Sequence, residues 1–269
     1  MKIQDIGLFG TIIMDTYKKD EVKTVAEYLE EICSPQDSYG WSSAGIYSFW
    51  DYESREILYI GLTSDLGNRF KQHNGLLHTS QASCKYEYIK EYFINHEKMG
   101  YTIFVQSSLS QPKVYKNQNF FRKSLDIPKG MPIKGYGGEE GRDSIKTVEG
   151  QLIEAHRLAV GNIPSWNKMS GSSDGKMLAT LENYFRIVKR FSDKDVNNVF
   201  VSRSTLRELA ENATYQFFEE ILHTVRMTML SEDVSFVEAL KIQLSYNLPF
   251  AEGWKRIIQE EYLSKQLWV

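Results

Sequence analysis

Residues 45 to 61 read GIYSFWDYESREILYIG and place two tyrosines, Tyr47 and Tyr59, in mirrored surroundings about a polar segment. Each sits in a run with a glycine and an isoleucine: Gly45-Ile46-Tyr47, then Tyr59-Ile60-Gly61. Further on, Arg69 and His73 stand four residues apart, the spacing that puts two side chains on one helix face. A phenol titrates near about 10, an imidazole near neutrality, and a guanidinium stays cationic with a planar fork that matches phosphate oxygens. Brought together, these groups could move a proton and neutralise a phosphate. Taken singly, each has a plainer explanation: a cross-strand tyrosine pair that only packs, and a solvated Arg/His helix face.

The elements around these residues favour convergence. GIYSFW and EILYIGL are rich in aromatic and β-branched residues and predict two strands of a hairpin. A hairpin centred near Glu53 sets Tyr47 opposite Tyr59 and Gly45 opposite Gly61. Strand side chains alternate, so both phenols leave one face, and the glycines leave room for something to approach the backbone. SDLGNRFKQH predicts a helix capped by Ser64 or Asp65, which returns Arg69 and His73 toward the hairpin. Residues 83–98 predict a second helix ending before Gly100, and 101–107 a third strand. Residues 143–160, DSIKTVEGQLIEAHRLAV, predict a helix capped by Asp143 or Ser144 and broken by NIPSWNK. Ahead of the hairpin, residues 21–33 have helical spacing, with Val22, Val25, Ala26, Leu29 and Cys33 on one face.

The ordered set resembles the GIY-YIG nuclease superfamily. The likeness rests on Gly45-Ile46-Tyr47, Tyr59-Ile60-Gly61, Thr63, Arg69 and His73, then on VEGQLIEAHRLAVGNIPSWN, which supplies Glu149, Leu152-Ile153, Pro164 and Asn167. It spans residues 45–168, under half of the chain. The departure is a stretch of about forty residues between the third strand and Glu149, where minimal members of the family reach the glutamate helix soon after that strand. The resemblance implies an α+β core with a small three-stranded antiparallel sheet flanked by helices. It also implies phosphodiester hydrolysis by Tyr47, Tyr59, Arg69, His73, Glu149 and Asn167.

Within that implied site, Glu149 is the candidate ligand of Mg2+ or Mn2+, with waters and DNA oxygens completing the shell. Arg69 suits charge neutralisation on the phosphate. Tyr47 is the general base that the resemblance implies, aided by a neighbouring cation, and Tyr59 positions water or phosphate; residue types do not separate the two roles. His73 takes or relays a proton. Asn167 holds a phosphate or fixes Glu149. Glu154 competes with Glu149 by proximity, but five helical residues turn it about 140° away. His156 lies two turns on and reads as structural or DNA-contacting.

Composition narrows the setting. The chain has 269 residues, a net charge of −3, 42% hydrophobic and 25% charged residues, as in ordinary globular proteins. No apolar run is long enough to predict a transmembrane helix, and the N-terminus lacks the pattern of a signal peptide. Two cysteines, Cys33 and Cys84, are too few for a disulfide framework or a Cys-rich zinc site, so a reducing cytoplasm is the simplest location. Lys plus Arg against Asp plus Glu is 4 to 8 over residues 1–44, 16 to 13 over 45–168 and 12 to 14 over 169–269, so the middle alone is basic. His78, His96 and His223 have no metal-site spacing. KGYGGEEG (134–141) lacks the Lys-Ser/Thr ending of a phosphate loop and predicts an ordinary loop.

Three regions follow: an N-terminal helical extension (1–44), the core (45–168) with an insertion at about 109–143, and a helical C-terminal region (169–269). The insertion interleaves Lys113, Lys116, Arg122, Lys123, Lys129 and Lys134 with Tyr115, Phe120, Phe121 and Tyr136. Cations and aromatics beside the active face suit DNA contact, and an elaborated surface loop fits equally. In the C-terminal region, Leu206, Leu209, Ala213, Phe217, Ile221 and Val225 share a helical face, predicting a bundle packed on the core or a dimer interface. The expected function is metal-dependent, site-specific cleavage of double-stranded DNA by a restriction enzyme, with no membrane partner; a homodimer is one way to cut both strands. A homing, mobile-element or repair nuclease is the alternative within the class. A DNA-binding protein with a degenerate nuclease fold is the alternative outside it.

Overall fold

The expected hairpin forms as β2 (Gly45–Asp51) and β3 (Ile57–Thr63). A computed structural model, which describes residues 9–33, 44–78, 84–106, 138–193, 198–246, 248–267 and 269, shows what the hairpin joins. The other flank of β2 pairs with β4 (Lys98–Gln106), and β4 pairs in turn with β1 (Phe9–Lys18). The result is one antiparallel sheet of four strands, ordered β1-β4-β2-β3, within an α+β fold. The expected three-stranded sheet is thus one strand short, and the N-terminal extension is not wholly helical. FGTIIMDTYK is buried on both faces, so it shows no alternation. The Asp15 in its middle is tolerated because Arg207 donates to its carboxylate from Nε and from the backbone N–H, each at 3.0 Å.

The register of the hairpin also differs from the expected one. Tyr47 opposes Gly61, Gly45 opposes Thr63, and Tyr59 opposes Phe49. A bulge lies between the Phe49–Tyr59 and Trp50–Ile57 pairs, so Leu58 is an extra residue on one strand. The net slip along the tyrosines is two residues, and a slip of two keeps every side chain on its face. Both phenols therefore still leave the same side of the sheet.

That side carries Tyr17, Tyr47, Phe49 and Tyr101, covered by α1 (Val22–Cys33), α2 (Leu66–His73) and α3 (Tyr86–Asn95). The opposite side carries Ile12, Met14, Ile46, Ile60 and Phe104 against α4 (Gly138–Val160) and the C-terminal helices. Each such side chain, fully buried, stabilises the fold by roughly 1.5–3 kcal/mol. The second helix is shorter than expected and β4 starts earlier. Gly100 is not a helix stop but a strand residue, and a Cβ there would lie 2.0 Å from the Trp50 ring. Helix α4 begins at Gly138, ahead of the expected Asp143/Ser144 cap, and takes in the end of the KGYGGEEG stretch.

The C-terminal region is helical, as expected: α5 (Ser173–Leu178), α6 (Leu181–Arg186), α7 (Leu206–Glu211), α8 (Ala213–Glu232), α9 (Phe236–Tyr246) and α10 (Leu248–Gln259). Leu206, Leu209, Ile221 and Val225 are buried as predicted, but Ala213 and Phe217 are exposed. The Asn212 side chain accepts from the Thr214 and Tyr215 N–H groups, ending α7 and opening α8 in a new phase that buries Phe218 instead. Helix α8 packs on β1, and Ile12 exchanges backbone hydrogen bonds of 2.8 Å with Phe200 and Ser202. Among the described residues no helix is long and apolar enough to cross a membrane.

Candidate active site

The hairpin holds its two tyrosines over a glycine. A Cβ at Gly61 would sit 2.5 Å from the Tyr59 ring and 2.8 Å from the Tyr47 hydroxyl, so the rings occupy the space a side chain would need. The space at Gly45 is taken by the Phe104 carbonyl. The room that both glycines make therefore serves neighbouring parts of the chain. The Tyr47 and Tyr59 ring centroids are 5.7 Å apart.

Helix α2 starts at an Asp65 cap, whose side chain accepts from the Asn68 N–H, and carries Arg69 and His73 back over this pair. Arg69 Nε donates to the Tyr47 oxygen at 3.1 Å, and its Nη1 donates to Gln72 at 3.0 Å. His73 Nε2 lies 2.7 Å from the same Tyr47 oxygen. Its other ring nitrogen, Nδ1, accepts the Lys85 backbone N–H at 2.9 Å, which assigns the ring proton to Nε2 and makes His73 a donor to Tyr47. Burial, with Arg69 and Lys85 nearby, pushes His73 down to about 2, so the ring is neutral at physiological pH. His73 is accordingly placed to support Tyr47, and its Nε2 is not open to take a proton from it.

Burial holds both phenols above their usual range, and it acts against Arg69, which pulls both down. Tyr47 donates to Tyr59, so the two hydroxyls are linked. Tyr47 is 1% exposed and His73 is fully buried, whereas Tyr59 opens into a cleft of about 350 Å³. Arg69, Lys85, Glu149, Asn167 and Lys168 line the same cleft.

Glu149 reaches the cleft from α4, and its carboxylate accepts the Leu62 backbone N–H of β3. Burial pushes its carboxyl up to about 7, although that N–H and Arg69 pull the other way. Glu154 is engaged elsewhere, with Arg157 Nε at 2.8 Å. His156 is buried and donates from Nδ1 to the Asn162 carbonyl at 2.8 Å, a structural contact. Asn167 bonds the edge of β3 rather than Glu149. Its Oδ1 accepts the Ile60 N–H at 2.9 Å and its Nδ2 donates to the Ile60 carbonyl at 2.8 Å. With the Trp166 N–H on the Leu58 carbonyl at 2.8 Å, the loop after α4 seals the open edge of β3.

Sequence reasoning missed Lys85 and Lys168, because neither stands in a motif or at a telling spacing. His78 is exposed, His96 stacks on Tyr92 at 4.1 Å, and His223 is buried 3.0 Å from Thr11 Oγ1, so none joins the site. Lys113, Lys116, Arg122, Lys123, Lys129 and Lys134 lie outside the described residues. Among the described residues no cluster of three or more His, Cys, Asp or Glu could hold a metal. The donor set fits Mg2+ nevertheless, because that ion commonly takes one or two carboxylates and fills its shell with waters and substrate phosphates. A partly buried carboxylate on a cleft wall, costly to ionise alone, meets that requirement.

No family model, curated protein or solved structure matches the chain. The functional assignment therefore rests on the site.

Proposed function

We propose that the chain is a GIY-YIG-type endonuclease that hydrolyses phosphodiester bonds of double-stranded DNA with a divalent metal ion. The observation that carries this is one linked arrangement. Tyr47 receives N–H groups from Arg69 and His73 and donates to Tyr59, which shares a cleft with Glu149.

The two phenols act as one base. Removal of one proton from the pair leaves a charge shared across their hydrogen bond, as in other coupled sites. Tyr59 is its better seat, because Tyr47 is the more deeply buried phenol and, by donating to Tyr59, supports a charge there. Tyr59 is the member that touches the cleft, so water delivers its proton there, and both phenols are then neutral. The attacking water oxygen bonds to phosphorus as the bond to the 3′-oxygen breaks. Arg69 neutralises the developing charge. Mg2+ held by Glu149 would polarise the phosphate and stabilise the leaving oxygen.

Restriction is the favoured biological use. The C-terminal helices share one hydrophobic core with the sheet, which fits an integrated restriction enzyme better than a nuclease with an appended DNA-binding module. The test is cleavage of a plasmid and phage-DNA panel by the purified protein with Mg2+. Discrete, reproducible fragments support site-specific restriction. Preference for branched DNA would favour repair, and no cutting of any DNA would overturn the nuclease assignment.

A further inference from the structure

We propose that Lys85 and Lys168 form a second phosphate site in the cleft, which takes the DNA backbone phosphate next to the one at Arg69. This inference rests on the nuclease reading and extends it to two residues outside the motif set.

Lys85 is 7% exposed, an uncommon placement for a lysine. Its ammonium lies 4.7 Å from the centroid of the Tyr59 ring and 5.3 Å from that of Tyr88. It donates to the Trp166 carbonyl at 2.7 Å, and among the described residues that is its one hydrogen-bond acceptor. An ammonium carries three donors, so two remain for a ligand. Lys168 stands on the same cleft wall, exposed and with no ion pair among the described residues. Burial and the like charges of Lys168 and Arg69 hold Lys85 below the usual lysine range. Among the described residues, three cations thus face one cleft whose one acidic lining residue is Glu149. A single phosphate does not need all three, and a metal at Glu149 would add to the excess. A polyanion that passes through with successive phosphates balances it.

Lys85 is also tied to the reaction geometry by its main chain, because its N–H fixes the His73 tautomer and its ammonium holds the loop that seals β3. A phosphate drawn to Lys85 would therefore lie against the Tyr59 ring, beside the phenol that meets water.

The test is the salt dependence of binding to a short random-sequence DNA duplex, measured by fluorescence anisotropy with EDTA present and KCl varied. Each phosphate contact contributes about 0.9 to the slope of log K against log salt. Lys85→Met and Lys168→Ala should each lower the slope by about 0.9, and the double variant by about twice that. Lys168 is exposed, so its variant keeps the test valid if Lys85→Met unfolds. Unchanged slopes in both variants, with wild-type protein still cutting plasmid, would overturn the phosphate site and leave the nuclease assignment standing. Weaker binding by Lys85→Met at an unchanged slope would mark a packing role and overturn it too. Wild-type protein that neither binds nor cuts duplex DNA would overturn both.

Discussion

At the scale of single residues, the unusual object is a buried phenol with two N–H donors on one oxygen. Tyr47 costs much to ionise because it is buried, and the Arg69 and His73 groups offset part of that cost. A base whose proton is held above the usual phenol range is only sparsely ionised at neutral pH, so cleavage should speed up as pH rises. We expect the single-turnover rate to climb up to about tenfold per pH unit above pH 7, and Tyr59→Phe to flatten that limb. A pH-independent rate in the wild-type protein would contradict the phenol pair as base. Glu149 gives a separate signature. Its folded-state carboxyl, near 7, lies above that of an unfolded glutamate, so metal-free stability is full below about pH 4.3 and is lost as pH rises through 7. Glu149→Gln should therefore melt higher than wild type at pH 8 in EDTA, with the gap closing toward pH 4.5. Losses from the buried His73 and His223 are common to both proteins and cancel. Convergence of Tyr47, Tyr59, Arg69 and His73 was legible in the sequence, because period-two and i,i+4 spacing fix faces. Their hydrogen-bond roles were not legible, because the His73 tautomer is set by the main chain of Lys85, twelve residues away.

At the scale of elements, the site depends on how the edge of β3 is finished. Leu58 adds a bulge that no composition rule locates, so the expected register was two residues out while the faces stayed right. The loop after α4 then clamps that edge through Asn167, and the same helix carries Glu149 into the cleft. Asn167→Ala leaves the Ile60 N–H and carbonyl without these partners and should cost about 1–3 kcal/mol in denaturant unfolding. It should also lower cleavage more than it lowers DNA binding, because it displaces β3 relative to Glu149. Equal losses in both would point to a direct phosphate contact instead. Strand β1 was missed because a strand buried on both faces shows no period, and Asp15 broke its apolar run. The ion pair that makes Asp15 tolerable comes from Arg207, far along the chain.

At the scale of the whole molecule, the C-terminal helices are built into the same body as the sheet. The buried pair of Arg226 and Glu219, 2.6 Å apart, joins α8 to β1 through Thr11 and to the chain end through Tyr262. Removing one partner of a buried pair leaves an uncompensated charge, so Arg226→Met should destabilise the protein by about 3–5 kcal/mol. Adding Glu219→Leu should recover much of that, as chemical unfolding would show; no recovery would mean the network also acts through its hydrogen bonds. That these helices share the sheet's core could not be read from their own spacing, since the Asn212 break rephases α8.

The most direct test of the central claim is the rate of plasmid cleavage with Mg2+ by wild type beside Glu149→Gln and Tyr47→Phe, prepared identically. Discrete cutting by wild type, with each variant slowed by about 10²-fold or more while still binding duplex DNA, is the predicted result. Equal cutting by all three would contradict the account, because neither the carboxylate nor the phenol pair would then take part in the chemistry.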